Sequence, residues 1–369
     1  MALGSDAEQR LRAWMTAQAG AGDVTIERLG RALVGHSAET LLLAIAERHG
    51  DRTARRDVVL RLRPVEPALL PPYDLHRQFR ILRCLESTAV RSPKVLWREP
   101  TGDVLGREFY VMERLPGTVF EQDVPEDLRT DPARIRRLCD AYTDQLAEIH
   151  SVDLAATGLD AIADGRDYLE RDLAHWRGEI DRVRREPSPA LERLHATLVA
   201  TRPEHSAVTL VHGDAKPGNY AFVSDEVTAV FDWELATVGD PLADVGWAEV
   251  FWNVGDLLTN LPGAPTTDEF VARWEERTGL RAQRREWYRA MQAYKFCAIA
   301  LVAGNLFDTG HTDDLRLASM SYAVAPFVKI AWRDLGIEEE IDLGPVGADA
   351  ERMAAVLAAV DGPDQHPAA

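Results

Sequence analysis

The chain has 369 residues and a formal charge of −18, with 42 lysines and arginines against 60 aspartates and glutamates. An apolar share of 46% and a charged share of 28% exclude a largely disordered polymer, and the length exceeds one ordinary hydrophobic core, so two lobes are expected. The acidic balance argues against a nucleic-acid binder, which needs a basic surface to displace counterions from phosphates. In chain order, Glu8 to Ala19 predicts a leading helix with Leu11, Trp14 and Met15 at helical spacing. Val24 to Leu33 and Thr40 to Ala46 then read as a hairpin across the turn Val34 to Glu39, and Val58 to Arg63 as a third strand ending at Pro64. After the proline-rich residues 64–72, Asp74 opens a helix to about Ser87 with an apolar stripe of Leu75, Phe79, Leu82 and Leu85. Lys94 to Trp97 and Glu108 to Met112 complete five strands, and Leu115-Pro116-Gly117 breaks the pattern.

Beyond residue 130 helices dominate: Ala133 to His150, Asp167 to Val183, Ala190 to Ala200, Leu242 to Asn253, Thr267 to Thr278, Arg284 to Leu306 and Thr312 to Leu335. A strand-rich interruption occupies residues 208–231. The charge shifts with the pattern, since residues 1–120 hold 18 basic and 15 acidic side chains (+3) and residues 121–369 hold 24 and 45 (−21). The reading is α+β, with a β-rich lobe over residues 1–114 and a helical lobe over 115–369. Cys84, Cys139 and Cys297 are far apart and lack any C-x-x-C, which argues against a disulfide framework or a zinc site. The first residues lack a basic region followed by an apolar run, and no run of about 18 apolar residues appears, so a cytoplasmic protein without a membrane partner is expected.

The chemistry concentrates in His212-Gly213-Asp214-Ala215-Lys216-Pro217-Gly218-Asn219, which an apolar strand delivers into a loop and a hairpin then carries to Asp232. Oxygens of Asp214, Asn219 and Asp232 thereby reach one end of a short sheet. Magnesium takes oxygen ligands while keeping waters, so two of these plus nucleotide phosphates satisfy it, and the remaining carboxylate is free to orient or deprotonate a hydroxyl. His212 reads as a packed histidine supporting the loop. Asp240 before Pro241 reads as a helix cap, and Asp244, one turn on, as architectural.

H-G-D-x-x-x-x-N followed by aspartate 13 residues later resembles the catalytic and metal-binding segment of the aminoglycoside phosphotransferase family, relatives of the protein kinases. Phe109 to Gly117 looks like the hinge between lobes, and Leu146 to Asp153 and Phe231 to Asp244 resemble the branch of kinase-like domains fused to acyl-CoA dehydrogenases. The resemblance implies a protein-kinase-like bilobal fold and transfer of the γ-phosphate of ATP, with Mg2+, to a hydroxyl of a small molecule. It makes Asp214 the catalytic base, Asn219 and Asp232 the magnesium ligands, and Lys216 a contact to the transferred phosphate. Adenine is expected against the hinge at Met112, Glu113 and Leu115.

The β-rich lobe departs from the kinase pattern. Where a kinase places a lysine on the third strand and a glutamate on the next helix, this sequence has Arg61 and Gln78. Arginine binds phosphate bidentately, and the Gln78 carbonyl oxygen is the expected acceptor for its guanidinium. Gly35 and Ser37, in a loop with one glycine, are the expected phosphate-loop contacts. The competing reading is a nucleotide-binding regulatory module with little turnover. Two acceptor classes stay open, aminoglycoside-like polycations suited to the acidic lobe and hydroxyacyl compounds.

Overall fold

Period-two alternation along the third strand decides how the first lobe is assembled. Val58, Leu60 and Leu62 join one apolar cluster, whereas Val59 joins another on the opposite face. The computed structural model describes residues 4–31, 39–121, 124–163, 165–184, 186–204, 206–252, 257–339, 342–344 and 347–360. Helix α1 (Ser5–Ala19) packs Leu11 and Met15 on the first face of a sheet formed by β1 (Asp23–Arg31), β2 (Glu39–His49), β3 (Arg52–Leu62), β4 (Val95–Glu99) and β5 (Phe109–Glu113). The strands are antiparallel in the order β1-β2-β3-β5-β4. Helix α2 (Leu75–Leu85) covers the second face with Leu75, Ile81, Leu82 and Leu85, and Asp74 caps it by accepting the Arg77 N–H at 2.9 Å. Arg61 shares the second face with Val59 and so points toward the rest of the molecule. The loop with Gly35 and Ser37 lies outside the described residues.

The chain crosses through β6 (Thr118–Val119), α3 (Glu126–Arg129), α4 (Pro132–His150), α5 (Leu154–Thr157), α6 (Tyr168–Val183) and α7 (Pro189–Ala200) to β7 (Thr209–Val211), β8 (Tyr220–Val223) and β9 (Glu226–Val230). It continues as β10 (Thr237–Gly239), α8 (Leu242–Phe251), α9 (Thr267–Thr278), α10 (Arg285–Asp308), α11 (Leu315–Met320), α12 (Val324–Leu335) and α13 (Ala350–Val360). A β6-β8-β9 sheet and a β10-β7 pair hold the site segment. Gly117, with φ +144, makes the crossing possible, because a Cβ there would lie 2.8 Å from both Ala221 Cβ and Thr228 Oγ1.

Helix α10 is the centre of the helical lobe and packs against α6, α7, α8, α11 and α12. By length and mean hydropathy it could cross a membrane, although Lys295 breaks its apolar run as the sequence reading has it, and 83% of its apolar window is buried against these neighbours. The single helix expected over 312–335 is instead α11 and α12 with a 3-10 turn at Ser321–Ala323 between them. Pro326 explains the restart, since its missing N–H is tolerated only in a first turn. The two-residue β6 and three-residue β10 are too short for periodicity to reveal.

Candidate functional site

Strand β7 ends at Val211, and the next three residues are fixed by groups that arrive from distant helices. Gly213 adopts φ +84, and a Cβ there would come within 2.6 Å of the Leu235 carbonyl oxygen. Asp244 of α8 accepts the His212 N–H at 2.7 Å and the Gly213 N–H at 2.8 Å. Its third donor is His150 Nε2 at 3.0 Å, a tautomer fixed because His150 Nδ1 accepts the Trp274 indole N–H. Burial opposes ionisation of Asp244, but the His150 hydrogen bond and the backbone N–H groups prevail and hold its pKa below the ordinary carboxylate value. His212 donates from Nε2 to the Phe231 carbonyl and accepts the Asp214 N–H at Nδ1, so both ring nitrogens are committed to structure. Asp240 accepts from the Leu242 N–H, Ser206 and the Tyr288 hydroxyl, also a structural set.

The loop so held brings Asp214, Lys216 and Asn219 together. Asp214 Oδ1 accepts the Trp247 indole N–H at 2.8 Å, and Oδ2 accepts Asn219 Nδ2 at 2.8 Å. Asn219 Nδ2 also donates to the Asp214 carbonyl, which fixes the amide orientation and leaves the side-chain oxygen without a partner among the described residues. That oxygen is a suitable donor for magnesium. Asp232 has left-handed backbone (φ 63), and its Oδ1 is bonded to Arg61. No group of three or more His, Cys, Asp or Glu side chains able to hold a metal occurs among the described residues. Asn219 and Asp232 together suit a cation that keeps waters and phosphate oxygens in its shell, rather than one caged by protein. Lys216 ion-pairs with Glu121 at 2.5 Å; burial favours the neutral amine, but Asp214 and Glu121 overcome it and raise its pKa.

Arg61 reaches this group from β3. Its Nη2 lies 2.8 Å from Asp232 Oδ1 and 2.7 Å from Glu234 Oε2, and the Tyr73 hydroxyl accepts from Nε and Nη2. Tyr73 in turn donates to Glu234 at 2.9 Å. The expected Arg61–Gln78 hydrogen bond is therefore not formed. Gln78 is 1% exposed and accepts from the Tyr110 hydroxyl at 3.4 Å, while its Nε2 has no partner among the described residues. Arg63, beyond the end of β3, pairs with Glu108 instead. Met112 is buried in β5, and Glu113 is bound by backbone and side chain to Lys94 at the start of the hinge, with Leu115 following.

Several neighbours of these residues escaped the sequence reading. Glu234 was visible in Asp232-Trp233-Glu234 but carried no assigned task, and Tyr73, Glu121 and Trp247 have no local signal. Lys295 had one, as a lone charge in the apolar run of α10. It is 3% exposed, donates to the Gly213 carbonyl and lies 4.6 Å from the Trp247 ring centroid. Burial lowers its pKa against the pull of Asp172, Asp214 and Asp244.

The sequence model of the phosphotransferase enzyme family, APH, matches residues 47–290, a span that contains Arg61, Asp214, Asn219 and Asp232. The chain belongs to this family. Among curated proteins, acyl-CoA dehydrogenase family member 10 of Mus musculus is 30% identical over 294 residues, covering 76% of this chain and 27% of its own length. The chain thus spans about a quarter of that relative, which bears out the resemblance to kinase-like domains joined to acyl-CoA dehydrogenases. Of solved structures, a Ralstonia eutropha protein assigned to the aminoglycoside phosphotransferases has TM-score 0.70 at 23% identity, over 90% of this chain and 99% of its own. Aminoglycoside phosphotransferase APH(4)-Ia, solved with AMP-PNP and hygromycin B, has TM-score 0.58 at 18% identity, over 91% and 99%. These likenesses show the bilobal phosphotransferase fold.

Proposed function

We propose that this APH-family chain transfers the γ-phosphate of ATP, with Mg2+, to a hydroxyl group of a small molecule. The observation that carries the proposal is that Asp214, Lys216, Asn219 and Asp232 gather in one segment and that Arg61 reaches it from the β-rich lobe to bond Asp232. Asn219 and Asp232 would hold magnesium, which when bound neutralises charge on the phosphate oxygens. Arg61 and Lys216 supply fixed positive charge beside it. Adenine would lie along the hinge from Met112 to Leu115. Asp214, with one oxygen held by Trp247 and the other by Asn219, orients the acceptor hydroxyl and takes its proton. The acceptor oxygen bonds to the γ-phosphorus as the bond to the ADP oxygen breaks.

A nucleotide-binding module without turnover would have no use for an aspartate held this closely. The distinguishing experiment measures ATP binding by calorimetry and ATP consumption against aminoglycosides, amino alcohols, sugars and hydroxyacyl compounds. Acceptor-stimulated formation of ADP and phosphorylated product, absent in Asp214→Asn, is the expected result. ATP binding with no stimulated turnover across the panel favours the module.

A further inference from the structure

We propose that Glu234 is the positioning residue for Arg61, supplied by the segment after Asp232 in place of a carboxylate on α2. The inference rests on the nucleotide site proposed above. Arg61 is held on one edge: Nε and Nη2 bond Tyr73, and Nη2 also bonds Asp232 and Glu234. Nη1 makes no hydrogen bond to a described residue, and it is not among the buried polar atoms lacking a partner, so it is open to solvent. With Nε and Nη2 committed, Nη1 is the nitrogen left to donate to a phosphate.

Of the two carboxylates, Asp232 is the one the metal assignment requires, and its side chain is 27% exposed. The Glu234 side chain is only 4% exposed and shares Oε2 between Arg61 and the Tyr73 hydroxyl. Once Asp232 turns to a cation, the Glu234–Tyr73 pair still fixes the guanidinium plane. Helix α2 contributes a cation to the same segment, because Arg77 Nη2 donates to the Glu234 carbonyl at 3.1 Å. Arg61 and Arg77 thus both come from the β-rich lobe, and the carboxylate that holds Arg61 comes from the helical one instead of from α2.

Calorimetry with ATP in EDTA and with ATP and excess Mg2+ tests this in wild type, Glu234→Gln, Arg61→Met and the double variant. Loss of a charge-assisted hydrogen bond corresponds to about tenfold or more in affinity. Glu234→Gln is expected to weaken ATP binding by about that factor whether or not magnesium is present, and by less than about twofold in the Arg61→Met background. Tyr73→Phe, which keeps the ring and removes the linking hydroxyl, is expected to act in the same direction by about threefold. A loss confined to the magnesium titration would make Glu234 a metal ligand and overturn the inference, as would equal losses with and without Arg61. If wild type binds no ATP under either condition, the nucleotide site itself is wrong and the inference falls with it; binding by wild type with no effect of Glu234→Gln overturns the inference alone.

Discussion

Removing the Asp244 carboxylate should both destabilise the protein and loosen the segment that carries Asp214. In Asp244→Ala, two buried N–H groups lose acceptors now 2.7 and 2.8 Å away, and the His150 N–H loses one at 3.0 Å. A stranded buried donor costs about 1–3 kcal/mol, so the sum is about 4 kcal/mol, a large share of the 5–15 kcal/mol typical of a folded domain. Asp244→Asn keeps one oxygen acceptor but turns an amide N–H2 toward a donor, so it should recover about half of that loss. Because the folded pKa of Asp244 lies below its unfolded value, the carboxylate's contribution is full above an unfolded pKa of about 3.9 and is lost as pH falls through the folded value. Urea unfolding followed by tryptophan fluorescence should thus show a constant wild-type advantage over Asp244→Ala from pH 8 to 5 that narrows below about pH 4. An advantage below about 1 kcal/mol at neutral pH, or one undiminished at pH 3, would refute the argument.

Asp214→Asn should leave ATP affinity within a few fold and lower stimulated turnover by at least about a hundredfold, and near-normal turnover in a folded variant would remove Asp214 from the chemistry. Asp232→Ala should abolish the tightening of ATP binding by Mg2+ in calorimetry; tightening equal to wild type would reassign the metal ligand. Gly213→Ala should cost more than about 2 kcal/mol in chemical denaturation, because the new Cβ meets the Leu235 carbonyl and the backbone is left-handed. Gln78→Met should change ATP affinity by less than about twofold, since Gln78 contacts Tyr110 and not Arg61, and a tenfold loss would restore Gln78 to the phosphate site.

How much of this was legible in the sequence depended on whether the signal was local. The five strands and α2 follow from alternation and from the Asp74 cap, and the Asp214, Asn219 and Asp232 set follows from spacing within one hairpin. Asp244 was read as architectural, and it is, but its service to the His212 and Gly213 N–H groups depends on where α8 packs. The partner of Arg61 was misassigned for the same reason. Gln78 stands at the sequence position a kinase would use, yet the choice between it and Glu234 is made by a contact 173 residues apart in the chain. Tyr73 sits beside the proline-rich stretch that period-based reading treats only as irregular.

The charge of the helical lobe is a weaker guide to the acceptor than its size suggests. Asp144 is bound by Arg273 and Arg277, Asp225 by Arg134 and Arg137, and Glu249 by Arg285 and Arg289. Each of these carboxylates is already neutralised within the protein, so it offers little to a polycation. Asp214 is flanked by the Trp247 indole and the Asn219 amide, and Lys295, bonded to the Gly213 carbonyl, lies over the Trp247 ring. Lys295 is itself surrounded by Asp172, Asp214 and Asp244, and burial lowers its pKa, so it does not make this end of the site cationic. The Trp247 indole beside Asp214 is therefore a better place to look for acceptor preference than the net charge of −18. Lys295→Met, which keeps the stem volume and removes the hydrogen bond to the Gly213 carbonyl, should lower stimulated turnover without reordering the acceptor panel, and a panel re-ranked toward amines would show that Lys295 acts on acceptor choice instead.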